Sequence, residues 1–197
     1  VAGIRQAPLG SAYNIRLNGA SAARSGSDNI DILPKPDGKG IDIHVKPGTK
    51  GETVYIPVVI SETGLVEAVL NDFFIGDDAD ITIVAGCGIH NCGENRSQHD
   101  GIHTFHLEEN ASVRYEEKHY GEGNGTGGRV LNPVTNVFLE KGATLEMETV
   151  QIAGVDSTKR VTKGKVGDNA TLVVKEKLMT HGGQVAETEV EVDLDGD

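Results

Sequence analysis

The fold is decided by a short motif that first reads Phe73-Phe-Ile-Gly-Asp-Asp-Ala79-Asp-Ile-Thr-Ile83. Apolar residues alternate on both sides of a polar corner, which ends in alanine. Alternation with a period of two predicts strands that bury one face, and Gly, Asp and Asn are typical of tight bends. This corner motif returns at Ala111, Ala143 and Ala170, with steps of 111−79=32, 143−111=32 and 170−143=27 residues. A unit repeated at this period predicts a solenoid of stacked turns.

If one repeat makes one turn of the solenoid, residues at equivalent positions of the four copies lie above one another in a column. Because the side chains of a strand alternate between two faces, every second column points inward. The columns next to the corner are apolar: two residues after the alanine stand Ile81, Val113, Leu145 and Leu172. No window longer than about two turns has the 3.6-residue period of an amphipathic helix. We therefore predict an all-β chain with a solenoid core over residues 41–197 and an irregular N-terminal cap over residues 1–40. The glycine run of residues 121–128 is interpreted as a flexible surface loop.

Composition narrows the class of partner. Lysine and arginine number 18 against 30 acidic residues, a net charge of −12, which argues against nucleic acid or an anionic membrane as the main partner. Two cysteines are too few for a disulfide framework, so we expect a cytoplasmic protein. The sequence starts at Val1 and a fifth corner, Leu194-Asp-Gly-Asp197, begins where it stops, so we expect a solenoid truncated at its C-terminal end.

Farther from the corner the columns contain polar residues as well as apolar ones. Six residues after the alanine the residues are Ala85, Glu117, Thr149 and Glu176, and eight after it they are Cys87, His119, Gln151 and Leu178. Cys87 and His119 should lie on neighbouring strands about 4.8 Å apart, with Glu117 on the same face. Thiolate, imidazole and carboxylate are a ligand set suited to zinc or iron. The alternative is that Cys87 is a small buried hydrophobe.

Residues 87–119 contain both cysteines and five of the seven histidines of the chain. His103 falls in an inward column, whereas His106 should face outward. Cys92 has no partner in the columns, so it is a weaker candidate. The candidate metal ligands are Cys87, His119, Glu117, His103, Cys92 and His90, and the first three are the candidate cofactor-binding residues.

Four segments carry a resemblance to a known family: Asn14-Ile-Arg-Leu-Asn-Gly19, Ala85-Gly-Cys-Gly-Ile-His90, Ser97-Gln-His-Asp-Gly-Ile-His103 and Glu117-Lys-His-Tyr-Gly-Glu122. They resemble the SufB/SufD family, most closely its short SufB-like members from anaerobic bacteria and archaea. The resemblance implies a right-handed parallel β-helix. It implies a non-enzymatic scaffold on which an iron–sulfur cluster is transiently assembled, with the ABC-type ATPase SufC as partner. It also implies pairing with a SufB/SufD-type subunit, as a homodimer or a heterodimer.

Two other hypotheses remain open at this point. The first is a zinc- or iron-dependent hydrolase or lyase, which would need three protein ligands and an open water position. His103, His119 and Cys87 are the residues that could supply the ligands. The second is a structural or carbohydrate-binding solenoid, which would present aromatic platforms on an outer face. Four Phe and four Tyr, several of them inward, argue against it.

Overall fold

A computed structural model describes residues 10–196, which form fifteen strands and no helix. The strands are β1 Ala12–Leu17, β2 Ala20–Ser25, β3 Ile30–Pro34, β4 Gly40–Val45, β5 Lys50–Ile60, β6 Val66–Ile75, β7 Asp80–His90, β8 Ser97–Leu107, β9 Ser112–Glu122, β10 Arg129–Leu131, β11 Val134–Leu139, β12 Thr144–Ala153, β13 Ser157–Val166, β14 Thr171–Leu178 and β15 Val185–Leu194. Within this part of the chain there is consequently no helix that could cross a membrane.

The strands build two sheets that face each other across a narrow interior. Sheet A has the order β14-β12-β9-β7-β5-β1-β2, and sheet B has the order β10-β13-β11-β8-β6-β4-β3, with β15 paired to β13. Each turn contributes one strand to sheet B and the next to sheet A: β4 and β5 form turn 1, β6 and β7 turn 2, β8 and β9 turn 3, β11 and β12 turn 4, and β13 and β14 turn 5. Neighbouring turns pair in parallel. The predicted all-β solenoid is confirmed, with about five turns.

The register of the turns is the one that the corner alanines predict. Ile81 pairs with Val113, Val113 with Leu145, and Leu145 with Leu172. The same register continues along the strands and puts Cys87 opposite His119. The alanines of turns 2 to 4 are completely buried where the chain bends between the sheets.

Each corner contains one residue with positive φ, immediately before the alanine or its equivalent Thr49. These φ angles lie between 54° and 72° at Gly48, Asp78, Asn110, Gly142 and Asn169. The N–H of Ala111 donates to the carbonyl of Glu108 at 3.2 Å, which closes a four-residue turn whose third residue has positive φ, as in a type II turn. The N–H of Asn110 donates to the carbonyl of Lys141 in the next turn at 3.0 Å. The corner therefore continues the hydrogen-bonded stack from turn to turn.

The interior is apolar at both ends of its cross-section and polar between them. A large cluster beside the corners contains stacked aliphatic residues with Phe73, Phe105 and Tyr115. A smaller cluster at the opposite end contains Val58, Ile60, Cys87, Ile89, Leu131 and Val155. Between them lies what we call the polar core: Arg16, Glu67, Asn71, His99, His103, Glu117, His119, Thr149 and Arg160.

The N-terminal segment is more regular than predicted. β1 pairs in parallel with β5 and in antiparallel with β2, while β3 pairs in antiparallel with β4. Asn18 and Gly19 both have positive φ and join β1 to β2 as a two-residue hairpin, which is the turn that an Asn-Gly pair favours. The prediction of an irregular cap is therefore wrong for residues 10–34, and residues 1–9 lie outside the described part. These added strands cover backbone edges that the first turn would expose.

The glycine run of residues 121–128 packs tightly, and its interpretation as a flexible loop is wrong. A Cβ at Gly123, Gly125 or Gly127 would lie 2.2, 2.3 and 2.1 Å from the carbonyl oxygens of Asn91, Gly93 and Asn95. The N–H groups of Gly125 and Gly127 donate to the carbonyls of Asn91 and Gly93 at 3.2 and 2.9 Å. Glycine is needed here because the two loops approach backbone to backbone.

The positive φ of Asn110 predicts that two small substitutions at this position differ in their effect on stability. Asn110→Ala should lower the free energy of unfolding by about 1 kcal/mol, because alanine is strained at positive φ. Asn110→Gly should leave it nearly unchanged. Urea unfolding followed by circular dichroism measures both. Equal midpoints for the two variants would show that the left-handed conformation is not what the corner requires.

Candidate functional site

The interior brings together four of the six candidate residues. Cys87 on β7 lies opposite His119 on β9, Glu117 shares the same inward face, and His103 on β8 approaches from sheet B. All four are buried. The other two candidates, His90 and Cys92, lie at and beyond the end of β7 and are partly or fully exposed. The candidate set therefore divides into an interior group and an outer group.

Glu117 is the centre of the polar core. Its Oε2 accepts from Arg160 Nη2 at 3.1 Å and from Thr149 Oγ1 at 3.3 Å, and its Oε1 accepts from Tyr115 Oη at 2.9 Å. Burial alone would raise the pKa of this carboxyl, but His119 and Arg160 together hold it well below its usual range. Glu117 is therefore a carboxylate whose charge is neutralised by its own neighbours.

His119 has both ring nitrogens engaged. Arg160 Nη1 lies 3.2 Å from His119 Nδ1, and since a guanidinium only donates, Nδ1 must accept. The ring proton is then on Nε2, which lies 3.3 Å from Glu117 Oε1 and donates to it. No ring nitrogen of His119 is left for a metal ion in this arrangement.

His103 is held in one tautomer by a directed chain of hydrogen bonds. The Tyr115 hydroxyl has one proton and donates it to Glu117. The contact of 2.8 Å between Tyr115 Oη and His103 Nδ1 therefore has His103 Nδ1 as its donor. His103 Nε2 then accepts from Asn71 Nδ2 at 3.4 Å. Burial lowers the pKa of His103 to about 4, which keeps the ring neutral at neutral pH.

Cys87 sits between the polar core and the smaller apolar cluster. Burial, reinforced by the carboxylates of Glu67 and Glu117, raises the pKa of the Cys87 thiol well above its ordinary value. It is 2% exposed and packs with Ile60, Ile89 and Leu131. Cys87 is therefore a neutral thiol here, which fits its alternative description as a small buried hydrophobe. Its role as a ligand stays a prediction.

A second buried ion pair lies nearer the N-terminus. Glu67 Oε1 lies 2.9 Å from His99 Nδ1, and Glu67 Oε2 accepts from Arg16 Nη2 at 3.3 Å. The sequence columns missed Glu67, His99 and Arg160 as members of the polar core. The alternation of inward and outward residues along β6, β8 and β13 places these three side chains inward and could have identified them.

The space enclosed by these side chains is small. A cavity of about 20 Å³ lies among Cys87, His99, His103, Glu117 and His119 and has room for about one water molecule. An iron–sulfur cluster does not fit into it in this conformation. Among residues 10–196, no three His, Cys, Asp or Glu side chains converge in a way that could hold a metal ion.

The outer group forms its own contacts. Cys92 Sγ lies 3.0 Å from His90 Nε2, and His90 Nδ1 lies 3.2 Å from Glu122 Oε1. The metal-ligand roles of Cys92 and His90 stay predictions, and these two side chains do not belong to the interior group.

A stripe of stacked rings runs along the outside of sheet B. His44, Phe74, His106 and Phe138 follow one another with centroid distances of 4.7, 5.0 and 5.1 Å and interplanar angles of 9°, 5° and 7°. His106 therefore faces outward, as predicted. Because each ring covers the face of the next, the stripe presents edges rather than the open ring faces on which sugars stack.

Comparison with models of known protein families finds no match, and a search of curated proteins finds none with significant similarity.

The Glu117–Arg160 pair predicts a large loss of stability from one substitution. Arg160→Met should lower the free energy of unfolding by about 3–5 kcal/mol, because it leaves the Glu117 carboxylate buried without its cation. Lys163→Met, on the solvent side of the same strand, should change it by about 0.5 kcal/mol or less. Urea unfolding measures both. If the two midpoints move equally, the pair does not hold the polar core together.

The buried neutral imidazole predicts a pH dependence. His103 has a pKa of about 4 in the folded chain and about 6.5 when unfolded, so the unfolded state binds the proton first as pH falls. Stability should therefore drop between about pH 6.5 and 4, by about 3 kcal/mol in total. His103→Gln should flatten this dependence, whereas Thr135→Val, in the same inward column, should keep it. An unchanged slope in the His103 variant, from urea midpoints at pH 4.5 to 7, would contradict the assignment.

Proposed function

We propose that this protein is a scaffold subunit for iron–sulfur cluster assembly, acting in the cytoplasm with an ABC-type ATPase of the SufC kind. In this proposal it pairs with a SufB/SufD-type subunit, either a second copy or a relative. It carries out no catalysis of its own. The cluster is its cargo, built from iron and sulfide and passed on.

The observation that carries the proposal is the convergence of the four family-like segments. They span residues 14–122, yet each supplies a buried side chain to the interior between the two sheets: Arg16, Cys87, His99 and His103, and Glu117 and His119, respectively. A resemblance that reflected only the repeat would fall on corners and apolar columns. That it falls on the buried polar core supports a shared functional site.

The size of the cavity adds a condition to the proposal. Cargo larger than a water molecule can enter only if the side chains that line the cavity, among them Cys87, Glu117 and His119, move apart. Movement of a partner ATPase is a source of the energy for such an opening. Cys87 would lose its proton as iron binds, because a thiolate is the ligand form. Soft thiolate is the ligand that iron–sulfur clusters use.

The hydrolase or lyase hypothesis gains no support from the geometry. A catalytic zinc needs three protein ligands and an open position. Both ring nitrogens of His103 and of His119 are engaged in hydrogen bonds to neighbours. No specific observation favours this function over the scaffold.

The test is anaerobic reconstitution of the full-length protein with iron and sulfide, combined with a pull-down of the SufC-type ATPase from the same organism. We expect the ATPase to co-purify and the complex to carry iron and acid-labile sulfide. Cys87→Ser should lose most of the bound iron and sulfide, whereas Cys92→Ser should retain it.

Three outcomes would count against the proposal. If Cys87→Ser binds as much iron and sulfide as wild type, the interior group is not the site of cluster assembly. Failure to bind both the ATPase and iron would remove the scaffold function. Zinc at one per chain without sulfide would favour the metal-dependent enzyme instead.

A further inference from the structure

An exposed thiol, an imidazole and a carboxylate stand in line on the outside of the solenoid. Cys92 Sγ is 3.0 Å from His90 Nε2, and His90 Nδ1 is 3.2 Å from Glu122 Oε1. A nucleophile within reach of a base, with the base held by a third group, is the arrangement that activates cysteine in enzymes. None of the contacts of the polar core involves these three side chains.

The carboxylate and the imidazole are positioned by the solenoid itself. His90 ends β7, and its register partner on the next turn is Glu122 at the end of β9. Tyr120 Oη donates to Glu122 Oε2 at 3.2 Å, which fixes the other oxygen toward the imidazole. The side chains of His90 and Glu122 are 43% and 40% exposed, so a dissolved reactant can reach them.

The loop that carries Cys92 is rigid. The adjacent Asn91 is completely buried; its Oδ1 accepts from Gly93 N at 3.0 Å, and its Nδ2 donates to the Asn95 carbonyl at 2.8 Å. The glycine run of residues 121–128 packs backbone to backbone against this loop. These contacts hold the backbone that carries the thiol, and the thiol itself contacts the His90 imidazole.

We take a sulfur electrophile rather than an acyl group as the reactant, because three backbone N–H groups of the loops around the thiol are already used as donors. Acyl transfer needs free N–H donors for a developing oxyanion. The N–H groups of Gly93, Gly125 and Gly127 are already bound to oxygens of Asn91 and Gly93. Attack on a disulfide develops charge on a departing sulfur and needs no such donors.

We propose that Cys92 is an activated thiol that exchanges with disulfides, with His90 as its base and Glu122 as a positioning residue. The Cys92 thiol passes its proton to His90 Nε2, and the thiolate sulfur attacks one sulfur of the disulfide. The S–S bond of the reactant breaks, and the departing thiolate takes up the proton. The products are a mixed disulfide on Cys92 and one free thiol. The other cysteine, Cys87, is buried, so the mixed disulfide persists until an external thiol reverses it.

Charge restricts the reactant further. Glu122 lies beside the His90 imidazole, and the chain carries a net charge of −12. A cationic disulfide should therefore react faster than an anionic one at low salt, and the difference should shrink as salt is added. Cystamine and glutathione disulfide are the two probes.

The experiment measures the rate at which cystamine modifies the full-length protein at pH 7, by intact mass and peptide mapping. The adduct should lie on Cys92. His90→Gln should lower the rate by about tenfold, and Glu122→Gln by a smaller factor. The matched controls are His181→Gln, at a distant exposed turn, and Glu94→Gln, which removes the same charge near the thiol without touching His90. Both should react within about twofold of wild type, because they leave the base in place.

A second measurement separates activation from a structural effect. Above about pH 10 exposed thiols are ionised without help from a base, so wild type and His90→Gln should then react at the same rate. Equal rates of these two proteins at pH 7, or a deficit of His90→Gln that persists at pH 10, would overturn the proposal. The assay contains no iron and no ATPase, so its failure leaves the scaffold proposal untouched.

Discussion

One backbone constraint, a single residue with positive φ at each corner, underlies the rest of the structure. It lets the chain reverse between the two sheets within four residues and, in the first four turns, leaves a buried alanine or threonine at the inside of the bend. Its N–H bonds to the next corner, so the corners stack as closely as the strands. Because side chains alternate strictly along a strand, a shift of one residue at any corner would turn every inward side chain outward.

The polar core depends on that register. Carboxylates and guanidinium groups are costly to bury unless each finds a partner, and here the partners come from different turns and different sheets. Glu117 on sheet A meets Arg160 on sheet B, and Glu67 on sheet B meets Arg16 on sheet A. Packing of these side chains leaves a cavity with room for about one water molecule between the sheets. The closed interior includes the inward face of β7, whereas the exposed thiol of Cys92 lies in the loop beyond the end of this strand.

The sequence was a good guide to the register and a poor one to contacts between sheets. Spacing between alanines predicted that Cys87 lies beside His119, because both belong to sheet A. It could not predict that Arg160 reaches Glu117, because the offset of the two sheets is set by packing rather than by spacing. The Asn18-Gly19 hairpin carried a local signal that could have been used. The contact of Cys92 with His90 depends on a loop whose shape no periodicity describes.

The contacts of Arg160 limit where a turn can be inserted into this solenoid. Its guanidinium donates to Glu176 in its own turn, to Thr149 one turn away and to Glu117 two turns away. Copying one turn between them would move Glu117 about 4.8 Å farther off, beyond any hydrogen bond. Between the third and fifth turns, insertion of one turn would therefore break this set of contacts, whereas a turn added outside that segment would leave it intact.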